Sequence, residues 1–187
     1  MSARSDRWIK AETPTKLEDD KVEVFSSYVR YVYTGDLDLP EDNMSSLFGL
    51  AVQVYVIADK LQDLKAGNFV IDKLLAMLKK HGQFPGPRSI CMAFENTTAD
   101  STLRKLLSDC YVFESEPDSE EAFPNNPKKG LPTDFMIAGM KESQRVIHGV
   151  GSSKTLQESH GLVEAVDKRP RCRYHRHDED HPRSRGD

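Results

Sequence analysis

The stretch LFGLAVQVYVIADKL, residues 47–61, decides the fold. From Leu47 to Ala58 the only polar side chains are Gln53 and the hydroxyl-bearing Tyr55, so a helix formed here has almost no face to give to water. A helix that is apolar nearly all round has to be surrounded by protein. The polar linker Glu41-Asp42-Asn43 precedes it, with Asn43 or Ser45 able to accept from the first free N–H groups. The spacing therefore predicts a central helix ending near Leu61, around which other elements pack.

Working outward, Phe25, Tyr28, Val29, Val32 and Tyr33 recur at helical spacing and predict an amphipathic helix over 22–33 with that face inward. Thr34-Gly35 ends it, glycine supplying the left-handed cap. Leu37-Asp38-Leu39 alternates like a very short strand that Pro40 stops, and Thr13 to Leu17 reads as a short edge strand despite Pro14. On the other side, Ile71, Leu74, Leu75 and Leu78 predict a helix over 64–80, closed by Lys79, Lys80, His81 and Gly82, cations and a glycine where a helix C-terminus favours them. Phe84-Pro85-Gly86-Pro87 is a turn. Beyond it come a short helix over 89–95 and a second with Leu103, Leu106, Leu107, Cys110 and Tyr111 on one stripe. Residues 114–130 form an acidic, proline-containing linker, and Leu131 to Val146 a last amphipathic helix using Phe135, Ile137 and Met140. From His148 onward little packed structure is expected.

Composition fits one packed region with solvated flanks: 37% hydrophobic against 30% charged residues, and a mean hydropathy of -0.60. A net charge of -4 offers no general attraction to a nucleic-acid backbone. The segment 168–187 departs from this with seven Lys/Arg against four Asp/Glu, but the acidic residues interrupt the basic ones and a solvated tail is the expectation. No run of apolar residues reaches the roughly 18 that a membrane span needs. Cys91, Cys110 and Cys172 are odd in number and far apart, and no apolar signal segment leads the chain, so an intracellular setting, nucleus or cytoplasm, is expected.

Three stretches resemble the second half of a BTB/POZ domain: Val24-Phe25, then Tyr31-Val32-Tyr33-Thr34-Gly35-Asp36-Leu37, then Tyr55-Val56-Ile57-Ala58-Asp59-Lys60-Leu61-Gln62-Asp63-Leu64-Lys65. In that family a helix ends in a Tyr-Thr-Gly turn, a short strand follows, and a hydrophobic helix closes in Ala-Asp-Lys-Leu before a final helix. Phe94-Glu95-Asn96-Thr97, Leu103 to Asp109, the Phe135 helix and the Cys172/Tyr174/His175/His177 ending resemble the extension of fungal BTB proteins. A complete domain of this kind begins with paired strands and a helical hairpin, to which only Trp8 to Leu17 would correspond here. The family's dimer interface lies largely in that first half, so homodimerisation is not carried over. The resemblance implies a mainly α remnant of an α+β BTB/POZ fold, a helical cluster with one or two short strands and a disordered C-terminal tail. It divides into a partial domain over 1–82, a helical extension over 88–146 and a tail over 147–187. It also implies a non-enzymatic protein-interaction module, in its most specific form a substrate adaptor for a cullin-based ubiquitin ligase, with a transcription-linked scaffold as the alternative.

Two constellations are candidate sites. The turn after the first helix, Tyr33, Leu37, Leu39 and Glu41, corresponds to a region that contributes cullin contacts in the family, Leu39-Pro40-Glu41 presenting an apolar residue followed by an acidic one. The rival reading is that Leu37 and Leu39 pack inward and close the core. Cys172, His175, His177 and His181 supply a thiolate and three imidazoles within ten residues, a donor set suited to one tetrahedral zinc ion. Their spacing matches no standard zinc finger, and Arg171, Arg173 and Arg176 oppose a cation, so the competing reading is a solvated tail. A small zinc-binding regulatory protein is the corresponding alternative function; the adaptor itself needs no cofactor. Gly149 to Thr155 fails as a phosphate loop because His148 and Ser153 stand where glycines are required. Cys91 and Cys110 lie on apolar stripes, where thiols are inert, and no nucleophile elbow occurs.

Overall fold

The computed structural model describes residues 21–39, 43–83, 85–114, 130–147 and 174–177, and six helices occur among them. They are α1 (Val22–Thr34), α2 (Met44–Lys60), α3 (Leu64–His81), α4 (Pro87–Asn96), α5 (Thr102–Glu114) and α6 (Thr133–Ile147). All six predicted helices are present, and the architecture is mainly α. None of the described helices is long and apolar enough to cross a membrane.

The central position of α2 follows from its composition. Ala51, Val52, Val54, Ile57 and Ala58 have no measurable exposure, and the helix packs against α1, α3 and α4 at once. Asn43 caps it, its side-chain oxygen accepting from the Ser46 N–H at 3.1 Å. The other end closes by a two-bond reversal: the Gln62 N–H reaches the Asp59 carbonyl at 3.1 Å and the Asp63 N–H reaches the Ala58 carbonyl at 2.8 Å. This Schellman arrangement needs a left-handed residue, and Gln62 supplies it at φ 56°. Asp63 then caps α3, accepting from Lys65 and Ala66 N–H groups at 3.1 and 3.0 Å. α2 and α3 are thus joined by a turn in which every residue has a hydrogen-bonding task.

α5 packs on α4 and α6, and the apolar core is continuous from Val24 of α1 through Ile90 and Ala93 of α4 to Leu103, Leu106 and Phe135. Arg104 makes the α4–α5 junction. Its guanidinium donates to the Phe94 and Thr97 carbonyls and, at 3.0 Å, to the Thr97 hydroxyl, and lies 4.8 Å over the Phe94 ring. Those carbonyls end α4 and have no helical donor of their own. α4 begins at Pro87, two residues earlier than Ser89, because proline at the first helical position needs no N–H partner.

Three expectations need correction. Leu37 to Leu39 is not a strand: no strand occurs among the described residues, and none of them offers this three-residue segment a ladder. The companion edge strand over 13–17 falls outside the described residues. The inward face of α1 is the second correction. Val24, Tyr28 and Tyr31 turn to the core, whereas Phe25, Val32 and Tyr33 face out. Two contacts select that orientation: the Tyr28 hydroxyl donates to Asp63 Oδ2 at 3.0 Å, and the Tyr31 ring meets Phe69 with centroids 4.6 Å apart. The third concerns the tail expected to be unpacked from His148 onward. Residues 174–177 are seated on the helices, and Tyr174 is among the most deeply buried side chains of the chain. Its ring has apolar area to bury and its hydroxyl a buried acceptor to meet, which composition alone does not reveal.

Candidate functional site

α1 carries two apolar stripes. The inner one is taken by the core. The outer one, Val22, Phe25, Val32 and Tyr33, is exposed, Tyr33 at 85% and Val22 at 76%. Exposed apolar residues grouped on one helix are a candidate contact surface. A second, smaller group, Met136, Ile137 and Met140, is exposed on α6.

The loop leaving α1 is held by charge. Gly35 takes the left-handed conformation at φ 72°, and its N–H closes on the Tyr31 carbonyl at 2.7 Å. Asp36 pairs with Lys73 of α3 at 2.8 Å, and Arg30 pairs with Asp38. The Lys73 ammonium and the Leu37 N–H hold the Asp36 carboxyl below its ordinary value. The loop, the end of α1 and the second half of α3 enclose a groove of about 490 Å³, apolar at Leu37, Leu39, Leu47 and Met77 and charged at its rim. The four residues expected to form a protein-binding turn are therefore not equivalent. Tyr33 stands in solvent on the outer stripe. Leu37 is 4% exposed and belongs to the core, Leu39 is half-buried against it, and Glu41 lies outside the described residues.

The expected metal-binding group is only partly placed. Cys172 and His181 lie outside the described residues. His175 and His177 have ring centroids 6.4 Å apart, and His175 Nε2 sits 2.9 Å from Asp72 Oδ1. Among the described residues no three His, Cys, Asp or Glu side chains are gathered as a metal site would require.

The packing of residues 174–177 was not anticipated. The Tyr174 hydroxyl donates to Asp109 Oδ2 at 2.6 Å, with both residues buried. Asn68 makes a two-point contact with the backbone of Arg176, its Nδ2 donating to the carbonyl at 2.9 Å and its Oδ1 accepting from the N–H at 2.9 Å. The Arg176 guanidinium pairs with Asp59 Oδ1 at 2.6 Å. One signal in the sequence points to this: Asp109 lies beside Leu106, Leu107 and Cys110, on the buried side of α5, where an ionised carboxylate requires a donor. The identity of the donor is not encoded near it.

Cys110 is buried in the core, and burial pushes the Cys91 thiol up. Comparison with family models, with curated proteins and with solved structures gave no match.

Proposed function

We propose that the chain is a protein-interaction module of BTB type whose docking surface is the outer stripe of α1 together with the loop that follows it. The observation carrying this reading is the exposure of Val22, Phe25, Val32 and Tyr33 on one helix while the same helix spends its other apolar stripe on the core. The order of helices supports it too: a helix ending at Tyr33-Thr34-Gly35, a nearly all-apolar helix ending in Ala58-Asp59-Lys60-Leu61 and a further helix follow as the BTB resemblance implies, with a loop over 36–39 where it implies a short strand. In its specific form the partner is a cullin scaffold, met by Tyr33, Leu39 and Glu41, with Leu37 fixing the loop from below. A transcription-linked scaffold would use the same surface on a different partner.

The test is a pull-down of a cullin scaffold with wild type, Tyr33→Ala and Glu41→Lys, each checked for unchanged helical circular dichroism. Truncating an aromatic anchor at the middle of an interface costs about 2 kcal/mol or more, roughly thirtyfold in affinity. Retention by wild type and loss by both variants is the expected result. Equal retention, or none by any of the three, removes the adaptor assignment.

The zinc alternative has one observation in its favour. A carboxylate on the far nitrogen of a ligand histidine orients it toward metal, and Asp72 stands in that relation to His175. Stoichiometric zinc in purified protein, lost in Cys172→Ala, would establish it; zinc-free protein with unchanged folding would retire it.

A further inference from the structure

We propose that the cleft formed by α3, α5 and the end of α2 is a recognition site for peptides of the pattern Tyr-x-Arg, filled in the free protein by its own Tyr174-His175-Arg176 and open to a partner protein's segment of the same pattern. This proposal does not rest on the BTB reading, because it uses a different surface and different residues.

The contacts are those of a bound peptide. Asn68 reads backbone, satisfying both the N–H and the carbonyl of Arg176, a contact any residue at that point would make. Selectivity comes from the side chains on either side. The tyrosine position is a closed pocket in which the ring is 2% exposed and the hydroxyl meets the buried Asp109 at 2.6 Å. The arginine position is the Asp59 carboxylate, 13% exposed, at 2.6 Å. A phenylalanine in the first place would take the hydroxyl donor away from Asp109, and a neutral residue in the last would remove the cation that faces Asp59. At the middle position the His175 side chain, 19% exposed, meets Asp72 at the rim, whose side chain is 61% exposed. Three carboxylates thus face one aromatic hydroxyl and two basic side chains, a charge complementarity that commits the cleft to a basic, tyrosine-containing segment. The resident segment reaches it from Ile147 across residues 148–173, so a partner's segment competes with an intramolecular one and its apparent affinity falls by the fraction of cleft already filled.

The experiment uses the full chain and a synthetic peptide of residues 173–180. In wild type, hydrogen exchange at the Arg176 amide is slow because Asn68 accepts from it; saturating peptide should displace the resident segment and speed that exchange about tenfold, the worth of one well-placed hydrogen bond. In fluorescence anisotropy, labelled peptide should bind Arg176→Ala, whose resident segment has lost its contact with Asp59 and is more easily displaced, about tenfold more tightly than wild type, and should lose that binding when Asn68→Ala is added. A peptide with alanine for the tyrosine should not bind either protein. Unchanged Arg176 exchange under saturating peptide, or binding indifferent to Asn68→Ala, would make the segment a permanent internal staple and overturn the proposal. A concentration-dependent dimer of wild type, abolished by Asn68→Ala, would give the cleft to a second copy instead and overturn the assignment to a different protein.

Discussion

Single side chains do unusually connected work here. Asp63 caps α3 with one carboxylate oxygen and receives the Tyr28 hydroxyl on the other, tying α1 to the α2–α3 turn. Burial first, then the bond to Asp63, pushes the Tyr28 hydroxyl up to about 12 from an ordinary value of 10.0. The folded state therefore holds this proton more tightly than the unfolded chain does. The stability it contributes is fully present below pH 10 and is lost as pH rises toward 12. Wild type should accordingly be more stable than Tyr28→Phe at neutral pH, and the gap between their urea midpoints should close across that alkaline range; a constant gap would contradict the linkage. Arg104 is the other such residue. Its planar fork serves two carbonyls and a hydroxyl while stacking on Phe94, which a lysine ammonium cannot reproduce. Arg104→Lys should cost about 1.5–3 kcal/mol in chemical denaturation, the range for hydrogen bonds to a charged group.

At the scale of elements, the lesson is in helix ends and helix faces. The α2–α3 reversal places a glutamine where glycine is the usual occupant, and a left-handed non-glycine residue costs on the order of 1 kcal/mol. Gln62→Gly should raise the urea midpoint by that order with no change in slope; a fall would mean that the Gln62 side chain makes a stabilising contact outweighing the strain. The faces of α1 show what helical spacing can and cannot say. Val24, Tyr28 and Tyr31 form one stripe, and Val22, Phe25, Val29 and Val32 form another. Both satisfy the 3.6-residue repeat, so the pattern predicts a helix without predicting its rotation. Rotation is chosen by Asp63 and Phe69, which accept the tyrosine side and leave the Phe25–Tyr33 side exposed.

For the molecule as a whole, the most consequential contact joins residues 65 apart in sequence, Tyr174 and Asp109. Tyr174 lies within the continuous apolar core, so its removal should be felt by the entire helical unit. Tyr174→Ala should lower stability by about 3–5 kcal/mol, as large-to-small aromatic truncations in cores do, and should do so in a single transition seen alike by circular dichroism and fluorescence. A loss below 1 kcal/mol would place the segment on the surface. The helices themselves were legible in the sequence because their signals are local: apolar spacing, Asn43 and Gly82 at helix ends, and the near absence of polar residues from Leu47 to Ala58. Among the site residues, Tyr33 is exposed on α1 although helical spacing put it on the expected inner face, Leu37 is core, and the contact between His175 and Asp72 depends on chain segments 103 residues apart that no local pattern links.

The amino-acid sequence by itself determined that this chain is mainly helical, which stretches form the helices, and that α2 lies at the centre, because caps, turns and hydrophobic periodicity act over a few residues. Only the tertiary structure decided which face of α1 is left to solvent and where residues 174–177 dock. Those outcomes depend on side chains that chain order keeps far apart, Arg176 and Asp59 at a separation of 117, and such pairs acquire meaning only when packing brings them within hydrogen-bonding distance.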